Sequence, residues 1–248
     1  MDKVILMSNL GYLRGINGCL AHHVRYAHRH VYCTPQVREA CMQQLAEIVA
    51  REAPDLCCFV EIEQLPGVGG NPLHPLSRHY PFFDIENKYG PTSRLRTLPG
   101  MRGKSNGFLA KEEVPYEKIF FTHGTKRLIY KIALQPELTV FFAHFSLKKI
   151  VRMHQLQQMR QLLAQTHGES ILLGDFNIHT GFGELAPLLH ETNLVVLNRE
   201  DEPTFTFHKT RLPLDLCICS RGVAAHAQLR IIPQPYSDHD ALLLKFKA

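Results

Sequence analysis

No run of about 18 consecutive apolar residues occurs anywhere in the chain, so the sequence offers no membrane-spanning helix. The apolar stretch from Val4 to Met7 is too short for the core of a secretory signal. There is no C-x-x-C pair, which argues against a zinc ribbon or a thioredoxin-like site. The seven cysteines are odd in number, and Cys57-Cys58 and Cys217-x-Cys219 lie inside apolar runs rather than in a disulfide framework. These absences describe a cytoplasmic protein. A G-x-S-x-G elbow is also missing, which leaves a serine hydrolase without support. Neither internal repeats nor low-complexity tracts occur, so solenoid and largely disordered chains are excluded.

What is present is ordinary for a globular protein: 248 residues, of which 45% are hydrophobic and 21% charged. That length suffices for one substantial core, and a single domain over residues 1–248 is the expectation. Lysine and arginine number 28 against 23 acidic residues, a net charge of +5. The excess suits an anionic partner such as a phosphate ester. It falls short of the dense basic stripe of a dedicated nucleic-acid binder.

Two helices stand out. The first starts at Thr34 as N-cap with Pro35 at the first helical position, carries Val37, Cys41, Leu45, Ile48 and Val49 at helical spacing, and ends at Ala53-Pro54. The second runs from Ile150 to Thr166 and stops at Gly168. Strands are expected at Val4–Ser8, Leu56–Val60, Gly107–Ala110, Lys118–Thr122 and Arg127–Leu134. Further strands follow at Leu138–Ala143, Ser170–Gly174, Leu214–Cys219 and Ala241–Phe246, with Pro136-Glu137 as a hairpin turn. Pro66–Pro75 and Gly90–Ser105 read as loops. The pattern predicts an α/β fold with two packed sheets flanked by helices.

The apolar runs end on polar residues of a particular kind. Val4-Ile5-Leu6-Met7-Ser8 leads into Asn9, and Leu56 to Val60 leads into Glu61. Thr139 to Ala143 leads into His144, and Ser170 to Gly174 leads into Asp175, with Asn177 two residues on. Carboxyl ends of strands commonly line a ligand crevice. One such site would be unremarkable, since strands end where polar residues begin. Four of them, followed by Ser237-Asp238-His239 before the last strand, point to convergence.

These same blocks resemble the endonuclease/exonuclease/phosphatase superfamily, whose fold is that of pancreatic deoxyribonuclease. The resemblance rests on Pro54-Asp55 with Val60-Glu61, Ser105-Asn106-Gly107-Phe108-Leu109, Ala143-His144-Phe145-Ser146-Leu147, Gly174-Asp175-Phe176-Asn177, Thr204-Phe205 with Arg211 to Asp215, and Ser237-Asp238-His239. It implies a four-layer sandwich of two mixed, mostly antiparallel sheets between helices. It also implies hydrolysis of a phosphate ester with Mg²⁺, or Mn²⁺ as the alternative ion. Hard cations take oxygen ligands and few carboxylates, so Glu61 is the first metal-ligand candidate, with Asn9 and Asp238 beside it. His239 would take a proton from water with Asp215 orienting it, and Asp175 would hold that water or itself be the base. Asn177 would position the water and the phosphate, and Asn106 and His144 would donate hydrogen bonds to the phosphate. The sequence does not divide the base role between Asp175 and His239.

Departures from the family pattern bear on substrate. Ser8 stands before Asn9 where an aromatic is usual, and Val60 stands before Glu61 where glutamine is usual. Trp is absent, whereas abasic-site nucleases of the superfamily lean on tryptophan near the site. The compact stretch from Thr204 to Ser220 is more similar to the lipid- and inositol-phosphate branch. A phosphodiesterase or phosphatase is therefore the first reading, a DNA or RNA nuclease the second, and a binding module without chemistry the third. The segment from Gly11 to Cys33, with Arg14, Arg25, Arg29, His22, His23, His28 and His30, is longer than the family's usual first connection. It reads either as a specificity element or as a solvated basic loop. Gly103-Lys104-Ser105 imitates the end of a P-loop, but Leu98 stands where that motif needs its first glycine. Arg94, Arg96, Arg102 and Lys104 then read as a solvated loop first and as a cluster facing an anionic substrate second, the His22-to-Cys33 cluster as surface histidines, and Cys41 as core.

Overall fold

The computed structural model describes residues 2–64 and 72–247. Its strands are β1 (Asp2–Asn9), β2 (Leu56–Glu63), β3 (Phe82–Asn87), β4 (Lys104–Ala110), β5 (Tyr116–Phe120), β6 (Leu128–Gln135) and β7 (Leu138–His144). They continue as β8 (Glu169–Asp175), β9 (Leu194–Val196), β10 (Phe205–Phe207), β11 (Thr210–Leu212), β12 (Asp215–Ser220), β13 (Ala227–Ile232) and β14 (Ala241–Lys247). The helices are α1 (Leu20–Arg25), α2 (Pro35–Glu52), α3 (His74–Ser77), α4 (Lys149–Ala164), α5 (Ala186–Leu189) and α6 (Arg221–Ala224). One six-stranded sheet has the order β13-β14-β1-β2-β4-β3, the other β5-β6-β7-β8-β12-β9, and β10-β11 form a separate hairpin. Within each large sheet one central pair is parallel, β1 with β2 and β7 with β8, and the remaining pairs are antiparallel.

The unbroken apolar runs are explained by burial on both faces, since successive side chains of a strand point to opposite sides. Ile5 and Met7 enter the core between the sheets while Leu6 meets the helical side. Phe142 and Leu173 face the inter-sheet core from the second sheet, and Phe141 and Leu172 point outward to α4. Helix α2 covers the first sheet with Cys41, Leu45, Ile48 and Val49, and α4 covers the second with Leu156, Met159 and Leu163. The layers are thus helix, sheet, sheet, helix. Deleting a fully buried aromatic such as Phe142 would cost about 3–5 kcal/mol.

Helix α2 starts at Thr34 and Pro35 and ends where Ala53 turns left-handed at φ 45°, as its sequence predicts. All seven cysteines are free, and Cys41 is buried. Several expectations need correction. Strands β3 and β13 run along the outer edges of the first sheet, where half-exposed side chains lack the continuous apolar signal. Strand β4 begins at Lys104, so the expected Gly90–Ser105 loop ends early and contains a short helical turn at Arg94–Arg96. Strand β5 lies two residues upstream of its expected start. In the expected Pro66–Pro75 loop, residues 65–71 lie outside the described residues, and His74 begins α3. Among the described residues no helix is long and apolar enough to cross a membrane.

Candidate active site

Strand pairing assembles the site. In the second sheet His144 and Asp215 are both register partners of Asp175, on β7 and β12 respectively. In the first sheet Asn9 ends β1 and Glu61 lies in β2 where the register to β4 shifts between Phe59 and Ile62. Glu61 adopts φ 58°, a left-handed conformation that is costly for a residue with a Cβ. Its backbone N–H donates to Asn106 Oδ1 at 3.3 Å, tying the bulge to β4.

Asp175 is buried and is the hub. Its Oδ2 accepts from Asn9 Nδ2 at 3.0 Å and lies 3.1 Å from His144 Nε2. Its Oδ1 accepts from the Asn177 backbone N–H at 3.0 Å. Asn177, held at φ 52°, donates through Nδ2 to the Phe145 carbonyl at 3.1 Å. Burial opposes the charge on Asp175, but His144, His239 and Lys126 outweigh it and hold the carboxyl well below the usual range.

Asp215 Oδ2 lies 2.7 Å from His239 Nδ1 and accepts from Thr204 Oγ1 at 2.9 Å. Both residues are buried. Burial disfavours the charged imidazole, yet Asp215, Asp175 and Asp238 outweigh it and lift His239 to about 10. Asp175, Asp215 and His239 offer ligand atoms within 4.8 Å of one another. Nδ1 of His239 is already committed to Asp215, so these two form a hydrogen-bonded pair with the Asp175 carboxylate close by.

Lys88, Lys126 and Tyr12 join the site without a sequence signal of their own, and Lys104, expected in a solvated loop, lies beside them. Lys88 Nζ sits 3.7 Å from Glu61 Oε1 and donates to the Tyr12 hydroxyl. Lys126 Nζ touches His144 Nε2. Lys104 lies 4.9 Å from the centroid of the Tyr12 ring. Burial brings Lys88 down to about 8 and lowers Lys126 as well. Burial, then the Lys126 charge, brings His144 down to about 4, so its ring is neutral at pH 7. The marks these residues leave in sequence are faint: Lys88 follows an edge strand, Lys126 lies in a turn, and Tyr12 follows Gly11.

Glu61 is held at about 2, because neighbouring cations, Lys88 foremost, overcome the burial that would neutralise it. Asp238 moves the other way: burial raises its carboxyl, His239 opposes, and the like charge of Glu61 adds to the rise. Two carboxylates that repel one another, with the amide oxygen of Asn9, which accepts from the Gly11 N–H at 3.1 Å and keeps a second lone pair, are hard oxygen donors of the kind a divalent cation takes. The donor chemistry fits Mg²⁺ or Mn²⁺.

The segment from Gly11 to Cys33 is not simply a solvated loop. Tyr12 and Arg14 are buried, Arg14 approaches Glu63 at 3.9 Å, and His22 and His23 are half-buried. In the second basic loop Arg96 pairs with Glu86 at 3.1 Å.

Comparison with known proteins agrees with this architecture. The fold matches TDP2 from Caenorhabditis elegans at 15% identity and TM-score 0.70, covering 100% of this chain and 75% of that one. It matches ANGEL2, a 2′,3′-cyclic phosphatase in complex with adenosine-2′,3′-vanadate, at 14% identity and TM-score 0.67, covering 99% and 95%. It also matches the endonuclease domain of TRAS1, a telomere-specific non-LTR retrotransposon, at 15% identity and TM-score 0.61, covering 99% of each chain. No curated protein matches the sequence significantly. The model of the endonuclease/exonuclease/phosphatase family matches residues 32–239, most of the chain and every site block from Glu61 to His239, and the chain therefore belongs to that family.

Proposed function

We propose that this chain hydrolyses phosphate esters, phosphodiesters first, by attack of water on phosphorus with Mg²⁺ or Mn²⁺ held by Glu61, Asn9 and Asp238. The carrying observation is the carboxylate-backed imidazole of Asp215 and His239, at 2.7 Å, beside a second ionised carboxylate, Asp175. A divalent cation, when bound, offsets charge on the phosphoryl oxygens. With Nδ1 turned to Asp215, His239 has Nε2 left to take the proton of the attacking water.

Asp175 is the poorer base. Both of its oxygens already accept hydrogen bonds, and its carboxyl is held strongly ionised. Its part is to orient the water together with Asn177. Asn106 and neutral His144 donate to phosphoryl oxygens, and the ammonium groups of Lys88 and Lys126 add positive charge where negative charge develops. The fold does not select the ester, because one architecture hosts many substrates.

The test is turnover of bis(p-nitrophenyl) phosphate and a panel of phosphomonoesters with Mg²⁺, with Mn²⁺ and in excess chelator. Metal-supported hydrolysis that His239→Ala abolishes is the expected result. Turnover persisting in chelator would remove the metal from the scheme, and inertness toward every ester would remove the hydrolase.

A further inference from the structure

Large apolar side chains that stay in water are segregated to one end of the molecule. Eight of the twelve such residues among the described ones fall on three connections, residues 11–33, 88–103 and 145–150. Each connection joins strands at the end where the site lies. The first follows Asn9 at the end of β1, and the third follows His144 at the end of β7. The second enters β4, whose Lys104 is the register partner of Glu63 at the end of β2. On the first, Val31 is 94% exposed and Val24 72%; on the third, Ile150 is 77% exposed and Leu147 62%. Leu98 and Met101 are exposed on the second. Apolar residues exposed singly need no explanation, but a set gathered around one opening does.

The charge on these connections is of one sign. No acidic residue occurs between Asp2 and Glu39, between Glu86 and Glu112, or between Glu137 and Glu169. Arg25, Arg94, Arg102, Lys148 and Lys149 stand exposed among the apolar tips. The exposed acidic run Glu200, Asp201 and Glu202 follows β9, an outer strand of the second sheet, and so lies at the border of this face. The first connection is also fastened to the β10–β11 hairpin. A Cβ on Gly18 would lie 2.0 Å from the Thr206 carbonyl oxygen, so only glycine fits that approach. The His208 backbone N–H donates to the Gly18 carbonyl at 2.7 Å, and the Thr206 N–H donates to the Asp238 carbonyl at 2.9 Å. Its apolar tips therefore hold a set position relative to the site.

We propose that this end of the molecule docks on an anionic lipid bilayer, with the aliphatic tips at the headgroup boundary and the arginines and lysines among the lipid charges. Apolar area together with attraction to anionic lipid is what holds a protein in that interface. Single-stranded nucleic acid would use the cations but leave the aliphatic tips in water, since bases stack on aromatic faces. A second copy of the chain would bring its own cations against these, and like charges repel. The docking goes beyond the phosphoesterase reading and does not rest on it, because it needs only exposure and charge.

The absence of Trp from the chain allows a direct experiment. Val31→Trp and Ile150→Trp each place one fluorescent reporter on the docking face. Phe83→Trp places one at the opposite end, since Phe83 pairs with Leu109 and Leu109 with Cys57 near the start of β2. The full chain is mixed with vesicles of phosphatidylcholine, alone or with phosphatidylserine added, in excess chelator so that turnover plays no part. With phosphatidylserine, emission from positions 31 and 150 should shift to the blue while that from 83 stays. Co-sedimentation of the unmodified chain should weaken as salt rises. Lys148→Gln and Lys149→Gln should each reduce affinity about 5-fold. Val31→Asn and Ile150→Asn, harmless to the fold at such exposed positions, should each reduce it about 10-fold. No binding to either vesicle, equal binding to both, or a blue shift at 83 equal to that at 31 would overturn the docking. So would tighter binding to single-stranded DNA that Val31→Asn leaves unchanged, or self-association of the chain that Val31→Asn abolishes.

Discussion

His239 and Asp215 stand 24 positions apart in the chain, yet their side chains meet at 2.7 Å in a buried contact. The carboxylates around the ring favour its charged form and lift it to about 10, far above the ordinary value of about 6.5. A raised value means the base form is scarce at low pH and grows as pH rises. Activity should therefore climb with pH through a shifted inflection above 6.5. His239→Ala should lower kcat on the order of 10²-fold or more, and Asp215→Asn somewhat less while moving the inflection downward. A double variant no worse than His239→Ala alone would mark one coupled unit. An unchanged pH profile in Asp215→Asn would break the link.

Glu61→Gln keeps the shape at the β2 bulge and removes the charge. The fold should survive, because the bulge is held by the backbone hydrogen bond to Asn106. Calorimetric titration with Mn²⁺ should show affinity lost by at least an order of magnitude, and hydrolysis should fall with it. Unaltered cation affinity would exclude Glu61 as a ligand.

Gly18→Ala forces a methyl group into the Thr206 backbone and should lift the segment from the hairpin. Overpacking of this kind costs about 1–3 kcal/mol. Limited proteolysis should then open sites within residues 11–33. Gly183→Ala, which meets nothing within 4 Å, is the silent comparison.

Arg152 and Glu184 form a buried pair at 2.6 Å beside the start of α4. Arg152→Met would strand a buried carboxylate, a loss of about 3–5 kcal/mol. Burial pushes Glu184 up, but hydrogen bonds from Thr180 and Arg152 prevail and lower it. A depressed folded value means the pair stabilises above the ordinary glutamate range of about 4.3 and loses that contribution as pH falls through the folded value. Urea midpoints of the two proteins should differ widely at neutral pH and converge in acid.

Asn9, Glu61, His144 and Asp175 are legible in sequence because each follows an apolar run buried on both faces, and such runs identify central strands without an alignment. Asp215 is legible only through the family pattern, since its partner His239 is brought to it by the hairpin and not by local spacing. Lys88 escapes because β3 is an edge strand whose Phe82 and Phe83 are 38% and 44% exposed, so its end is not marked as a site. Tyr12 escapes because it sits at φ 58° in a three-residue turn, Gly11–Leu13, where no periodic pattern marks a position.

Asn9, Glu61 and Asn106 ride on one sheet, and His144, Asp175 and Asp215 on the other. What keeps the two sets at working distance is the apolar layer in which Met7 and Val60 of one sheet meet Phe142 and Leu173 of the other. That layer acts as the spacer of a caliper whose jaws are the two strand-end clusters. A slip of about 1 Å between reacting groups costs on the order of 10²-fold in rate. Turnover should therefore report the mutual alignment of the sheets long before any spectroscopic signal of unfolding moves. Mild heating or Phe142→Leu should lower turnover while the chain is still folded, although no reacting atom lies in that layer.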